Sequence, residues 1–202
     1  MPTPYNALVT APVGTAPLVI AFHGTGGDET QFAGLVRDML PGAGLVAPRG
    51  DVSEGGANRF FRRTGEGIYD MPDLAKRSAA MAAFVADIRA RHLGRAVYGL
   101  GYSNGANILA AMTFDHADLF DRVALLHPLI PWQPTGNPGL AGRSILISGG
   151  RKDPICPLSL TMALADYFKA QRAEVTTVLH DGGHDVRPAE IEALTRFFVR
   201  QS

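Results

Sequence analysis

Short apolar segments alternate with longer amphipathic segments along most of the chain, and this alternation limits the possible folds more than any other feature. The run Leu18-Val19-Ile20-Ala21-Phe22 is rich in β-branched residues, and His23-Gly24 ends it. Such a run is typical of a strand buried on both faces of a sheet. Comparable runs predict strands at 45–47, 96–100, 123–126, 144–148 and 175–179, with an edge strand at 5–10. Helical patterns predict helices at 28–40, 71–92, 104–114, 157–171 and 188–200.

The order of these segments places the chain in the α/β class. Strands that alternate with helices form a mostly parallel central sheet with helices on both faces. No repeat or linker interrupts the pattern, so we expect a single domain over residues 1–202. One long irregular stretch, 49–70, is rich in Gly and Arg, and a loop of that length usually has a function. The chain is too short for this fold plus a large lid domain, so we expect a minimal lid.

Charge and cysteine content exclude several classes of partner. Lys and Arg together number 19, as do Asp and Glu, so the formal net charge is zero and nothing favours nucleic acid. Cys156 is the only cysteine, which excludes an intrachain disulfide and a multi-cysteine metal cage. No targeting segment is visible, and no apolar stretch approaches the roughly 18 residues of a membrane helix. We expect a cytoplasmic protein with no bound metal and no membrane span.

A serine flanked by glycines lies where a predicted strand meets a predicted helix. Gly101-Tyr102-Ser103-Asn104-Gly105 has the pattern G-x-S-x-G, which in this context forms a sharp turn that exposes the serine hydroxyl. Small residues on either side let the strand and the helix approach closely. The N-terminus of the following helix favours developing negative charge. We therefore interpret Ser103 as a nucleophile rather than as part of a chance glycine-rich turn.

A serine nucleophile needs a base, and the base needs a carboxylate that orients it. Around a turn of this kind the order along the chain is Ser, then Asp or Glu, then His, each at the carboxyl end of a strand. Asp153 and His184 fit that order, because each follows a predicted strand. Asp181 is the alternative carboxylate if the preceding strand ends later. His180 belongs to the strand end, so we expect it to be packed or exposed rather than catalytic.

The loop after the first buried strand, His23-Gly24-Thr25-Gly26-Gly27-Asp28, is the candidate for part of an oxyanion hole. Glycines let its backbone approach a substrate oxygen closely. We assign the backbone N–H groups of Thr25 and Asn104 to this role, and we expect His23 to be structural, hydrogen-bonded beneath the loop. A phosphate-binding loop is the rival interpretation, but the segment lacks the Gly-Lys-Ser/Thr ending and the G-x-G-x-x-G spacing.

These segments resemble the phospholipase/carboxylesterase branch of the α/β-hydrolases, near the dienelactone-hydrolase-like enzymes. The matching residues span nearly the whole chain, at 23–28, 101–107, 149–154 and 183–184. The stretch 59–63 also looks like a subgroup of small bacterial hydrolases linked to quinone and aromatic-compound stress. The resemblance implies the α/β-hydrolase fold and a serine esterase that takes short-acyl esters and needs no cofactor. Dienelactone hydrolases have a cysteine where this chain has Ser103, and many carboxylesterases have a glutamine where it has Asn104.

The predicted substrate pocket combines the long loop with the segment after the strand at 123–126. Phe60 and Phe61 are candidates for an acyl or aromatic pocket, together with Tyr69. Alternatively, the two phenylalanines anchor the loop on the core. Leu129 and Trp132 are candidates for the opposite wall, although Trp132 also suits a rim position or a homodimer contact.

Three charged or titratable side chains near this pocket have an open role. Arg62 and Arg63 either bind a substrate carboxylate or face water. His127 follows another strand and is a candidate for the pocket wall.

Together these residues predict a carboxylesterase-type serine hydrolase that cleaves small-molecule esters through an acyl-enzyme, and the resemblance implies short acyl or aromatic esters. Ser103 attacks the carbonyl, His184 takes its proton, and Asp153 fixes the imidazole tautomer. Because His184 must start neutral, we expect activity to rise with pH. A thioesterase or a lactonase would use the same residues. A ligand-binding homologue without catalysis is an alternative of another class.

Overall fold

The computed structural model describes residues 5–65 and 67–199. The predicted strands are all present, with ends within two residues of those expected. The strands are β1 (Ala7–Thr10), β2 (Leu18–Phe22), β3 (Gly44–Pro48), β4 (Val52–Glu54), β5 (Ala57–Arg59), β6 (Arg63–Gly65), β7 (Ile68–Tyr69), β8 (Val97–Tyr102), β9 (Arg122–Leu126), β10 (Ser144–Gly150) and β11 (Glu174–His180). The helices are α1 (Ala33–Met39), α2 (Met71–Arg91), α3 (Asn104–Asp115), α4 (Leu158–Ala170) and α5 (Pro188–Val199), with a 3₁₀ turn at Pro138–Leu140.

Seven strands form the central sheet in the order β1-β3-β2-β8-β9-β10-β11. β1 pairs antiparallel with β3, which confirms the predicted edge strand, and the neighbours from β3 to β11 are parallel. The carboxyl ends of parallel strands meet at one edge of the sheet. The loops that follow β2, β8, β9, β10 and β11 therefore converge there, and they carry the candidate site residues.

Helices cover both faces of this sheet, as the α/β class requires. Alternate residues of β2 point to opposite faces: Leu18, Ile20 and Phe22 pack with α2, α3 and α4, whereas Val19 and Ala21 pack with α1 and α5. Since β2 is buried on both faces, it consists entirely of apolar residues. The fold is a mostly parallel sheet between two helical layers, as the α/β class predicts.

Two segments differ from their predicted form. The helix expected at 28–40 begins only at Ala33, because the Asp28 carboxylate accepts bonds from the Thr30 N–H and hydroxyl and closes a turn before the helix. The stretch 49–70 forms two antiparallel hairpins, β4–β5 and β6–β7, rather than an irregular loop. Short paired strands separated by glycines have too few residues for a clear alternating pattern.

Across the described ranges, none of the helices has both the length and the apolar character that crossing a bilayer requires.

Candidate active site

Ser103 lies at the turn from β8 into α3, in a backbone conformation that few residues adopt. Its φ is 51° and its ψ is −117°, in a region that is strained for a residue with a side chain. A Cβ at Gly101 would lie 2.6 Å from the Gly105 carbonyl oxygen, and one at Gly105 would lie 2.1 Å from the Phe22 oxygen. Glycine is therefore required on both sides of the serine, as the sequence pattern predicts.

The structure brings Ser103, His184 and Asp153 together. The Oγ of Ser103 lies 2.9 Å from Nε2 of His184, and Nδ1 of His184 lies 2.7 Å from Oδ2 of Asp153. Because a carboxylate only accepts hydrogen bonds, Nδ1 carries the proton and Nε2 offers its lone pair to the serine hydroxyl. The imidazole can therefore accept the proton of Ser103.

Asp153 is held as a carboxylate by its surroundings. Its side chain is fully buried, and its Oδ1 accepts bonds from the backbone N–H groups of Ile155 at 2.8 Å and Cys156 at 2.9 Å. Burial alone would raise the pKa of Asp153, but the N–H of Cys156 and the rings of His127 and His184 donate to it and lower the pKa below its ordinary value. The group that orients His184 therefore stays charged.

Tyr102 fixes the loop that carries His184. Its hydroxyl donates to the His184 carbonyl at 2.8 Å, and the two rings lie 5.3 Å apart between centroids. Burial, and then the charge of Asp153, raise the pKa of Tyr102 to about 12, so the hydroxyl remains a donor near neutrality. Sequence reasoning missed this role, since the motif pattern leaves its second position open.

The predicted oxyanion hole lies between two segments next to Ser103. Thr25 is in the turn after β2, Asn104 begins α3, and both line the same cavity as the serine. Asn104 occupies the first helical turn, where backbone N–H groups have no acceptor within the helix. Such groups can donate to an oxyanion.

The β4–β5 hairpin holds this loop in place. The backbone N–H of Gly26 donates to the Asn58 carbonyl at 2.9 Å, and the Asn58 side chain donates back to the Gly27 carbonyl at 2.9 Å. Arg59 donates to the Thr25 hydroxyl at 2.8 Å. These contacts make the β4–β5 hairpin a support for the loop that carries Thr25.

His23 anchors the same loop from below, as predicted. It is buried, with Nδ1 2.7 Å from the Gly24 carbonyl, and its Nε2 accepts the Gly50 N–H at 2.9 Å. Burial lowers the pKa of His23, so the ring is neutral and bonds at both nitrogens. The expectation that His23 is structural is confirmed.

A cavity of about 330 Å³ opens in front of Ser103. Leu129, Tyr69 and Cys156 contribute to its wall, the first two as predicted. The Tyr69 hydroxyl donates to the Leu129 carbonyl at 2.8 Å and accepts from the Asn107 amide at 2.8 Å, which fixes this wall. Burial raises the pKa of Tyr69, so its hydroxyl keeps its proton.

Three predicted pocket residues do not line this cavity, which corrects the sequence prediction. Phe60 is 2% exposed and Phe61 is 0% exposed, and both pack in the core against Phe22 and Tyr69. They anchor the hairpins, because the burial of two large aromatic rings contributes a favourable hydrophobic free energy. Trp132 contacts the rings of Tyr69 and Phe114 outside the cavity.

Arg62 and Arg63 have different environments. Arg62 is mostly exposed and lies within 3.4 Å of the carboxylates of Asp70 and Asp73, away from the cavity. Arg63 lines the cavity, and its Nε donates to both oxygens of Glu54 at 2.9 and 3.1 Å. The water-facing alternative therefore applies to Arg62.

The rival triad residues lie elsewhere. The Asp181 side chain is 88% exposed and pairs with Arg151 at 3.4 Å. His180, at the end of β11, is packed against Glu190 at 3.1 Å. His127 is completely buried behind Asp153 rather than in the pocket wall, which corrects that expectation.

Two groups of side chains are close enough to suggest a metal site. His127, His180 and Glu190 form one group, and His127, Asp153 and His184 form the other. Nδ1 of His180 accepts the Gly182 N–H at 3.0 Å, so its Nε2 must carry the proton and has no lone pair for a metal. The Nδ1 atoms of His127 and His184 are both bonded to Asp153. We interpret the first group as a set of buried ion-pair contacts and the second as a hydrogen-bonded network.

Glu190 is a buried charge that sequence reasoning overlooked, although a signal was present. It lies on α5 at helical spacing from Ala193, Leu194 and Phe197, which form the apolar face of that helix. A carboxylate on an apolar face requires a partner in the core. That spacing therefore indicates a buried polar network.

Several proteins are similar to this chain in sequence or in structure over most of its length. No family model matches the chain. It is 34% identical to the hydrolase MhqD of Bacillus subtilis over 184 residues, which cover 90% of this chain and 92% of that protein. The protein Atu2452 of Agrobacterium tumefaciens has 48% identity and a TM-score of 0.88, covering 96% of this chain and 95% of that one. A Bacillus cereus carboxylesterase has 30% identity and a TM-score of 0.88, with 96% and 93% covered.

Proposed function

From the premise that this chain belongs to the esterase family of the α/β-hydrolases, we propose that Ser103, His184 and Asp153 form its catalytic triad. The chain is a serine hydrolase that cleaves carboxylic esters. The observation that carries the residue assignment is the continuous set of contacts from the Ser103 Oγ through His184 to Asp153, at 2.9 and 2.7 Å.

The chemistry follows from the positions of these groups. Ser103 attacks the ester carbonyl while Nε2 of His184 takes the hydroxyl proton, and the carboxylate of Asp153 stabilises the imidazolium that forms. The backbone N–H groups of Thr25 and Asn104 stabilise the oxyanion. His184 then protonates the leaving alcohol. Water attacks the acyl-enzyme by the same route, which releases the acid and restores the serine.

The size of the cavity supports a small substrate. A space of about 330 Å³ is near the lower end of typical ligand pockets, which hold roughly 300–1,000 Å³. Leu129, Tyr69 and Ile155 give it an apolar part. We propose esters with short acyl or small aromatic groups as its substrates. A series of 4-nitrophenyl esters from acetate to decanoate should show kcat/KM falling beyond the short chains. A maximum at the long chains would contradict this proposal.

The nucleophile is tested by Ser103→Ala. We expect ester hydrolysis to fall by about 10³- to 10⁶-fold, with loss of labelling by a fluorophosphonate probe. Ser53→Ala is the matched control, because Ser53 is an exposed serine on β4. Near-normal turnover in the folded Ser103 variant would exclude the assignment. Failure of the wild-type protein to label would favour a ligand-binding role without catalysis.

Thioesterase and lactonase activity would use the same groups. A thioester leaves through sulfur rather than oxygen, whereas a lactone is a cyclic ester whose leaving alcohol stays attached to the acyl group. Rates on an acyl ester, the corresponding thioester and a lactone of equal carbon number would separate them. We expect the ester to be the best substrate.

The cellular location and the oligomeric state of the protein are also proposals. The single cysteine, Cys156, cannot form an intrachain disulfide, which supports a cytoplasmic location, where thiols stay reduced. Trp132 packs on rings of its own chain, so a homodimer contact through it stays a prediction. Light scattering of the purified protein would test it.

A further inference from the structure

His127 lies directly behind the carboxylate that orients His184. It follows β9, has no exposed surface, and has a φ of 49°, in the left-handed region that few residues with side chains adopt. Its backbone N–H donates to the Ser148 carbonyl at 2.9 Å, and the Cys156 thiol lies 3.2 Å from its carbonyl oxygen. A residue in such a conformation persists only where its surroundings fix it. The ring of His127 is therefore held in one orientation.

That orientation places the ring between two buried carboxylates. Its Nδ1 lies 2.9 Å from Oδ2 of Asp153, and its Nε2 lies 3.1 Å from Oε1 of Glu190. All three side chains have no exposed area. The contact with Glu190 is not aligned as a hydrogen bond, so it is an ion-pair contact. Water does not reach these side chains to solvate the charge of either carboxylate. The arrangement is therefore favourable only if the ring between them carries the protons that pair with both charges.

Asp153 is a hydrogen-bond acceptor toward His127 and carries no proton of its own. Its Oδ1 accepts two backbone N–H groups, and its Oδ2 accepts Nδ1 of His184 at 2.7 Å as well as Nδ1 of His127. Both oxygens are therefore acceptors, and Nδ1 of His127 carries a proton.

Glu190 is also held as a carboxylate, because its contacts outweigh the burial that would raise its pKa. Its Oε2 accepts the Arg187 N–H at 2.7 Å and lies 3.1 Å from Nε2 of His180. That nitrogen carries a proton, because Nδ1 of the same ring accepts the Gly182 N–H. A charged Glu190 facing a bare Nε2 of His127 would place two lone pairs 3.1 Å apart in the core. A proton on Nε2 of His127 removes that repulsion.

Protonation at both nitrogens makes His127 an imidazolium. Burial alone would lower the pKa of His127, but its contacts with the carboxylates of Glu190 and Asp153 raise it above the ordinary value. Burial would likewise raise the pKa of Glu190, and its contacts with His127 and Ser148 lower it. The other polar groups around the ring are the His180 and His184 imidazoles, Tyr102 and the Cys156 thiol.

The charge on His127 lies close to the catalytic base, since the rings of His127 and His184 are 5.1 Å apart between centroids. Both rings bond to the same oxygen of Asp153. A positive charge at that distance in a buried site disfavours a second one nearby. Resting on the proposed triad, we infer that His127 is a positioning residue, held as an imidazolium by Glu190, that fixes Asp153 and places a positive charge beside the catalytic base.

The protonation of His127 can be measured in the wild-type enzyme without any substrate. Proteins labelled with ¹⁵N in histidine give ring-nitrogen signals that distinguish protonated from unprotonated nitrogens, and His127→Asn assigns the signal. At about pH 7.5, one unit above the ordinary histidine value, we expect both nitrogens of His127 to be protonated. An unprotonated nitrogen on His127 at that pH would overturn the inference, whatever the outcome for Ser103.

The effect on catalysis is tested by the pH dependence of kcat/KM for 4-nitrophenyl acetate. An asparagine at 127 can keep an N–H donor toward Asp153 but has no charge. In His127→Asn we expect the acidic limb of the profile to move up by about one pH unit, because the base loses a neighbouring positive charge. Below the limb, activity then falls about tenfold. His116→Asn, at an exposed helix end, is the matched control and should leave the limb unchanged.

A purely structural role would lower kcat without moving the limb, and that result in a folded variant would overturn the inference. If His127→Asn does not fold, the double variant His127→Asn with Glu190→Gln removes both charges. The limb should still move up, but by less, because loss of the Glu190 charge partly offsets loss of the nearer His127 charge. If neither variant folds, the ring-nitrogen measurement on the wild-type protein decides, with the His127 signal assigned by elimination through single substitutions of the other histidines. Loss of activity in Ser103→Ala is independent of all three results, so a failure here is distinguishable from a failure of the proposed triad.

Discussion

The amino-terminal and carboxyl-terminal edges of the central sheet both carry ionised side chains, but these side chains have different roles. At the amino-terminal edge, Arg89 and Asp121 form two parallel bonds at 2.9 and 3.0 Å, and Asp121 also accepts the Val97 N–H at 2.7 Å. At the carboxyl-terminal edge, Ser103 and His127 have positive φ values. The amino-terminal edge pairs its charges in ordinary geometry, and the positive φ of Arg172 there is the left-handed conformation common just after a helix. At the carboxyl-terminal edge the positive φ values fall on the proposed nucleophile and on the residue behind Asp153.

A further difference concerns unsatisfied polar groups. The side-chain nitrogen of Asn104 is buried without a partner among the described residues, although its oxygen accepts the Phe60 N–H at 2.8 Å. Binding and catalytic sites leave groups available for a substrate, while a structural edge pairs them internally. The comparison teaches that local strain and incomplete bonding mark the functional edge of this sheet.

The largest effect should come from the base at the carboxyl-terminal edge. His184→Gln should lower kcat/KM by about 10³-fold or more, because the serine loses its proton acceptor. His180→Gln is the matched control, since it removes a histidine only four residues away and keeps an N–H near Glu190. It should retain most of the activity. Equal losses in the two variants, measured on the same nitrophenyl ester, would remove the distinction between the histidines.

The amino-terminal edge should affect stability and not catalysis. Asp121→Ala breaks the bonds with Arg89 and Val97 and should lower the free energy of unfolding by about 1–2 kcal/mol, with kcat unchanged. Asp118 is an exposed neighbour, and Asp118→Ala should lower the free energy of unfolding much less. Urea denaturation and steady-state kinetics measure the two quantities. A large loss of kcat in Asp121→Ala would break the proposed division between the edges.

The smallest effect is on the pH dependence of stability. The pKa of Asp121 is lowered, because its bonds with Arg89 and Val97 outweigh the burial that would raise it. A lowered pKa in the folded state gives stability that is present above the unfolded value of about 4 and lost as pH falls through the folded value. Asp121→Asn should therefore flatten the loss of stability below about pH 4.

His127 contributes to the pH dependence of stability with the sign opposite to that of Asp121, so it sharpens the comparison between the two edges. Its pKa is raised, and its contribution is complete below the unfolded value of about 6.5 and lost as pH rises through the folded value. His127→Asn should flatten stability on the alkaline side, where Asp121→Asn has no effect. Denaturation midpoints between pH 3 and pH 9 would test both variants; a steeper acid limb in Asp121→Asn would contradict the assignment.

Much of this architecture was accessible from local sequence patterns. β2 and β8 were predicted because short apolar runs have a single stable placement, inside a parallel sheet. The turn at Ser103 was predicted from its local pattern: Gly101 is required by contacts with Gly105 and Ala106, although Gly105 is required by the Phe22 carbonyl of the neighbouring strand. The hairpins of 49–70 were missed, since their short strands are stabilised by the loop at Thr25 and by the core rather than by their own pattern.

The sequence by itself determined the strands, because these depend on residues close together along the chain, and its motif pattern predicted the turn at Ser103 and the order Ser103, Asp153, His184. It also favoured His184 over His180, but only the tertiary structure gave the 2.9 Å contact with Ser103 and joined His127 to both Asp153 and Glu190. The pairing of Gly150 with His180 in the sheet directs the following loop, and so places its histidine at the site. Such contacts depend on strand order and register, which no local pattern contains.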